Sequence, residues 1–424
     1  MALFLVMTWL YMAGHQTLYA SILSNYGILP FKTPFLDIAQ PLAAWECTRL
    51  GLDVIETTYC DPLLRPTNYP PIWISLSWIP LDAADTAIVG WFMGLAFVLT
   101  LFALPAARSA SNAATMALAC TSTMVVFGVE RANIDISLFT LCAAAAWLLL
   151  GRPIWRGAGY ALFLAGAALK YYPIVLVVMA ARERLRVFVA IALVSAILVL
   201  AFFLTYHDEI WRGARFIPAG LTPDIFGAKN ILLAADLVSE TVFAGSDSAM
   251  LLLRIAAALI YVLLAISLIA TVAHTMRNPA FADGMKSLAP SEHVFLAVGS
   301  ILMVACFFVV QNVGYRGIFL LFTLPGLMAM GREAGDDKLR RVFNAAVWAI
   351  LFLMWSDGLR TQLVHLLAAL DVSLLIRMVA IAGFWLVREL VWWWVIAQLC
   401  AVAARFLLAS PITPSIRALV KPKR

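Results

Sequence analysis

The chain is poor in charge. Only 13% of its 424 residues are Asp, Glu, Lys or Arg, against roughly 25% in a soluble domain. It also lacks a CxxC pair, an HExxH helix, a nucleophilic triad, a Walker loop and a dinucleotide-binding glycine motif. Its five scattered histidines build no zinc spacing. Those absences leave cytosolic nucleotide chemistry without support. The opening "MALFLVMTWLYMAGHQTLYASIL" has neither the basic start nor the small-residue cleavage site of a secretory signal. It reads as a retained first helix with a polar His15-Gln16 step. No internal repeat is evident.

What fills the sequence instead is apolar: 63% hydrophobic residues and a mean hydropathy of +0.93. The chain therefore reads as an all-α polytopic membrane protein forming one integral-membrane unit over 1–424. Because a bilayer-spanning helix needs about 20 apolar residues, hydropathy suggests spans near 3–29, 84–105, 113–130, 133–150, 187–206, 249–274, 293–312, 315–331, 342–357 and 377–405. Positive-inside bookkeeping puts the loops carrying Arg108, Arg152/Arg156, Arg182/Arg184/Arg186, Arg277/Lys286, Arg332/Lys338/Arg340/Arg341 and "RALVKPKR" in the cytoplasm. The net charge of +6 is that topological signal, so no nucleic-acid partner is expected. The long loops 30–83 and 207–248 fall on the other side. One stretch breaks the alternation: both ends of 157–179 are basic. It is expected to be a re-entrant pair of short helices turning at Lys170-Tyr171-Tyr172-Pro173, where proline disfavours continuation. The expected architecture is about ten full spans plus that pair.

Polar residues then gather on the non-cytoplasmic side, in loop 30–83, Glu130–Asp135, Lys170–Tyr172, "FGAKN" (226–230) and "QNVGYRG" (311–317), as if around one chamber. Asp37, just past the first helix, is the candidate general base. Asp53, Glu56 and Asp61 compete with it, and any of the four can instead cap a loop helix or face solvent. Trp45, Tyr69, Trp73 and Trp78 can stack on sugar rings, although an interfacial aromatic belt accounts for them more simply. "ERANID" either neutralises itself as a Glu130–Arg131 pair or uses Arg131 to hold a phosphate, with Glu130 and Asn133 orienting it. Lys170 can snorkel, yet with Tyr171 and Tyr172 it reads better as a pocket wall. Lys229 with Asn230, and Arg316 with Tyr315, are further candidates for phosphate and substrate contact. Cys120, Cys142, Cys306 and Cys400 read as packing. A disulfide is open to Cys47 and Cys60 if their side is oxidising.

In combination, Asp37 after the first helix, "YPP" closing the loop, "GVERANID", "LKYYP", "FGAKN" and "YRGIFLL" before "LPGL" resemble the GT-C superfamily of integral-membrane glycosyltransferases. Within it, the sequence is most similar to glycosyltransferase family 87, over about residues 30–330. The resemblance implies a GT-C-type bundle with the active site facing the periplasm or outside, in a bacterial inner membrane. It implies an inverting transferase that moves a sugar, mannose or another hexose or pentose, from a polyprenyl-phosphate donor to a lipid or glycan acceptor. Asp37 takes the base position. Glu130, Arg131, Asn133 and Lys170 face the donor. No cofactor is expected, and no metal, because no second carboxylate adjoins Asp37. The polar "CDPLLRPTNYPP" departs from the family pattern and implies an unusual acceptor. The rival reading is a transporter or flippase of a lipid-linked sugar; a non-catalytic glycolipid-binding relative is a third.

Overall fold

A computed structural model describes the chain except residues 1, 32, 62, 217–223, 243–245, 310–311, 334 and 416–424. The C-terminal "RALVKPKR", Gln311 and part of the 207–248 loop therefore lie outside the described residues. The fold is all-α. Its strand content among the described residues is one two-residue antiparallel ladder, Ile225 opposite Val313 and Phe226 opposite Asn312.

Among the described residues, five helices are long and apolar enough to cross a bilayer: Ala83–Leu101, Leu185–Thr205, Asp247–Arg277, Pro290–Val309 and Asp337–Ala369. A sixth exists if the pair Ala110–Cys120 and Thr123–Arg131, bent by 45°, counts as one span. The expectation of about ten spans is thus corrected. Several runs that hydropathy read as spans are short or broken elements, some of them packed inside protein. Residues 3–29 split into Ala2–Met12 and Gln16–Asn25 around Gly14. Residues 133–150 form the 15-residue helix Ile134–Leu148. The stretch 315–331 divides into a 3-10 segment, Gly314–Phe322, and the short helix Leu324–Glu333. A helix apolar on every side is equally at home in a protein core or in lipid, so composition alone overcounts spans.

The contrast in burial fixes the layering. In their most apolar windows, Leu185–Thr205 and Asp247–Arg277 are only 6% buried by protein, whereas Pro290–Val309 is 72% buried. The last is the central post of the bundle. Around it the core is aromatic: Phe139 stacks on Phe322 at 4.2 Å and Phe226 on Trp392 at 4.3 Å. Helix starts follow local chemistry, with Ser109, Asn133, Asn278, Asp336 and Ser373 each accepting a first-turn amide hydrogen, as N-caps do. Gly27, at φ +81°, lets its turn lie directly on the backbone of Asp357 and Gly358, where a Cβ has no room.

The stretch 157–179 breaks at its expected tip. Helix Pro153–Leu169 ends at Lys170, whose backbone is extended, and an 11-residue 3-10 helix, Tyr172–Arg182, packs back against it. Runs of 3-10 longer than three or four residues are uncommon. The loop 30–83 is ordered by helix Leu36–Arg49 and by a Cys47–Cys60 disulfide.

Candidate functional site

The segment between helices Thr123–Arg131 and Ile134–Leu148 is a stop and restart in two residues. Ala132 ends the first helix in the left-handed region, φ 44°, and Asn133 caps the second by accepting the Asp135 amide hydrogen at 3.0 Å. A left-handed alanine is strained, and Ala132 is fully enclosed. Phe35, immediately before helix Leu36–Arg49, is also left-handed at φ 62°, and its amide donates to the Glu130 carbonyl at 2.8 Å. The two strained residues set Asp37 and Asn133 side by side.

Asn133 is the joint of the site. Its Oδ1 already accepts from the Asp135 amide and also accepts from Lys170 Nζ at 2.9 Å, which leaves its Nδ2 to donate to Asp37 Oδ2 at 2.6 Å. An amide with an acceptor end and a donor end has no other way to serve these partners. Lys170 also pairs with Asp135 Oδ1 at 2.9 Å. The other Asp135 oxygen takes Arg316 Nε at 3.2 Å, and the Tyr172 hydroxyl donates to Oδ1 at 2.7 Å. Arg316 reaches on to Asn312 Oδ1. One polar chain thus runs from Asp37 through Asn133, Lys170 and Asp135 to Arg316.

Aromatic rings enclose the chain. Lys170 Nζ lies 5.7 Å from the Tyr315 ring centre and 6.0 Å from that of Tyr69, and Arg316 lies 5.1 Å from that of Tyr172, within cation–π range. Pro41 interrupts helix Leu36–Arg49; having no N–H, it leaves the Asp37 carbonyl without its helical donor. The Tyr69 hydroxyl faces that carbonyl at 3.4 Å. Burial, then the charge of Asp37, push the Tyr69 phenol well above its usual pKa, so it remains a donor. Asp37 itself is half-buried in the first turn of its helix, where the helix dipole favours a carboxylate.

Other candidates lie elsewhere. Arg131 is buried at 3% exposure and engaged by the Leu29 carbonyl at 2.7 Å, by Glu130 at 3.4 Å and by the Phe31 ring at 4.0 Å. Glu130 accepts from the Tyr19 hydroxyl at 2.9 Å. This pair neutralises itself, and Glu130 borders an apolar cavity of about 130 Å³ reaching Phe35 and Phe97. Tyr171 is 47% exposed and turns away towards Phe202. Lys229 is exposed with no ion-pair partner among the described residues. Of the competing carboxylates, Asp61 is tied to Arg65 at 2.6 Å, while Asp53 and Glu56 both meet Arg212.

Asp135 and Asn312 were given no role of their own by the sequence reading. A second group holds the candidate Asn230, but its charged members Asp357, Arg388 and Glu389 were missed. Asn230 Nδ2 donates to Glu389 at 3.2 Å, and Arg388 lies 3.4 Å from Glu389 and 3.6 Å from Asp357 while donating to the Ile225 carbonyl. Ionisable residues within apolar helices were the available signal. The two-residue ladder joins this group to the first, since Ile225 faces Val313 beside Asn312. Compared with known proteins, the chain matches no family model, no curated protein and no solved structure.

Proposed function

We propose that the chain is an inverting, polyprenyl-phosphate-sugar-dependent glycosyltransferase of the GT-C type, akin to family 87, acting on the non-cytoplasmic face of a bacterial inner membrane. The observation that carries the reading is the continuous hydrogen-bonded link from the half-buried Asp37 carboxylate through Asn133 to Lys170 and Arg316. It supplies a base at one end and phosphate-binding cations at the other. Lys170 and Arg316 share a single carboxylate, Asp135, so that end of the link carries one net positive charge for an anion, with the Asp37 carboxylate at the opposite end.

In this reading an acceptor hydroxyl attacks the anomeric carbon while Asp37 takes its proton. The bond from that carbon to the donor phosphate oxygen breaks, and the electron pair leaves with polyprenyl phosphate. Negative charge grows on that phosphate as the bond breaks, and a preorganised cation there stabilises it. Tyr69, Tyr172 and Tyr315 offer faces and hydroxyls to a sugar. The Cys47–Cys60 disulfide favours an oxidising compartment for loop 30–83.

Replacing Asp37 with Asn keeps the Asn133 contact sterically possible but removes the base. Transfer of radiolabelled sugar from a panel of polyprenyl-phosphate donors to membrane lipid and glycan extracts should fall by about 10²–10⁴-fold, with donor binding retained. Undiminished transfer would remove Asp37 from the mechanism.

The buried Asp357–Arg388–Glu389 group keeps the second reading, a transporter or flippase of a lipid-linked sugar, in view, because charges inside apolar helices often mark transport paths. Proteoliposomes separate the two: movement of donor between leaflets with no glycosidic product would favour transport.

A further inference from the structure

Helices Pro153–Leu169 and Leu185–Thr205 start at the same end of the bundle, joined by the returning 3-10 arm, and leave a cleft between them. At their starting end the cleft is a cavity of about 450 Å³ walled by Arg156, Arg184, Glu183 and Tyr160. Further along, the same two helices frame an apolar cavity of about 520 Å³. The lining residues fall one or two turns apart, Gly157, Ala161 and Leu164 on one helix and Val187, Ile191 and Leu198 on the other, so a single face of each helix forms the wall.

The starting end is built with excess positive charge. Arg156 pairs with Glu183 at 2.8 Å, and Glu183 also accepts from the Tyr160 hydroxyl at 3.1 Å. Arg184 is exposed and has no ion-pair partner among the described residues. Neither helix carries an acidic residue in its first turn or a capping side chain, so the positive ends of both dipoles face the same opening. A basic mouth leading into an apolar trough matches one chemistry: a phosphate joined to hydrocarbon chains.

We propose that this cleft binds an anionic phospholipid, its phosphate held by Arg156 and Arg184 and its chains lying in the apolar reach. The site is separate from the Asp37–Arg316 network, because Lys170 lies about 21 Å along the helix from Arg156, and it does not depend on the transferase reading.

The test is native mass spectrometry of the full chain in detergent, titrated with phosphatidylglycerol, phosphatidylcholine or inorganic phosphate. Wild type should retain phosphatidylglycerol roughly tenfold more tightly than phosphatidylcholine, the scale of a charge-assisted contact. Arg156→Gln/Arg184→Gln should abolish that preference. Leu198→Trp, which fills the trough and leaves the arginines intact, should weaken both lipids. Equal phosphatidylglycerol retention by wild type and the double variant would overturn the proposal. So would binding of inorganic phosphate without either lipid, which would mark a free-anion site. If the double variant does not fold, unchanged lipid retention in Leu198→Trp is sufficient to reject it.

Discussion

Replacing Asp135 with Asn leaves Lys170 and Arg316 facing each other across a neutral amide. Both cations lie within 3.2 Å of the native carboxylate, which is wholly buried. Two positive charges held about 6 Å apart repel by ~3 kcal/mol at an effective dielectric constant of about 20. Removing one partner of a buried ion pair typically costs about 3–5 kcal/mol. Lys170 retains Asn133 and Arg316 retains Asn312, so neither cation is stranded completely. The expected loss is therefore ~3 kcal/mol, at the lower end of that range. Reversible unfolding by SDS in mixed micelles measures it. The decisive comparison is Asp135→Asn/Lys170→Met, which removes the repulsion and should recover at least ~1.5 kcal/mol of the loss. A single-variant loss below about 1 kcal/mol, with no recovery in the double variant, would refute the view that Asp135 holds two charged partners.

Asn133→Leu removes an N-cap, costing about 1 kcal/mol, and severs Asp37 from Lys170; sugar transfer should fall far more than stability does, as paired activity and unfolding measurements on one preparation would reveal. At Asp61, burial pushes the carboxyl pKa up, but the Arg65 side chain and the Arg65 and Leu63 amides outweigh it and hold the pKa below the usual range. Its contribution is therefore present above the unfolded value of about 3.9 and lost as pH falls through the lower folded value. Wild type should lose more stability than Asp61→Asn on acidification from pH 5 to pH 2, and parallel acid-unfolding profiles would contradict this.

The break at Lys170 was legible because a lysine, two tyrosines and a proline interrupt an apolar run whose two ends are both basic. The convergence of Asp37, Asn133, Lys170, Tyr172 and Arg316 followed from their common placement at one face. What one sequence did not reveal was how charge is shared. Arg131 follows Glu130 directly, and adjacency alone cannot tell a self-neutralising pair from a ligand-binding arginine. The Leu29 carbonyl and the Phe31 ring, which take up Arg131, come from a segment about a hundred residues earlier. Asp135 looked like one more polar residue in a loop, and only the fold turns it inward against two cations. Arg388 and Glu389 sit in a helix apolar enough to be read as lipid-facing throughout, which hid the fact that their side of it faces protein. The span count failed for the related reason that hydropathy does not distinguish lipid from the interior of a protein.

The long 3-10 arm has a mechanical consequence. A 3-10 helix rises about 2.0 Å per residue against 1.5 Å for an α-helix. The 11 residues Tyr172–Arg182 therefore extend about 22 Å, nearly matching the ~25 Å of the 17-residue helix Pro153–Leu169. Arms of unequal residue number end almost level because the shorter one is drawn out. Tightening the arm into an α-helix would shorten it by about 5.5 Å, enough to draw Tyr172, at its start, off Asp135. The length of a single turn type thus sets the height at which the Tyr172 hydroxyl meets the Asp135 carboxylate.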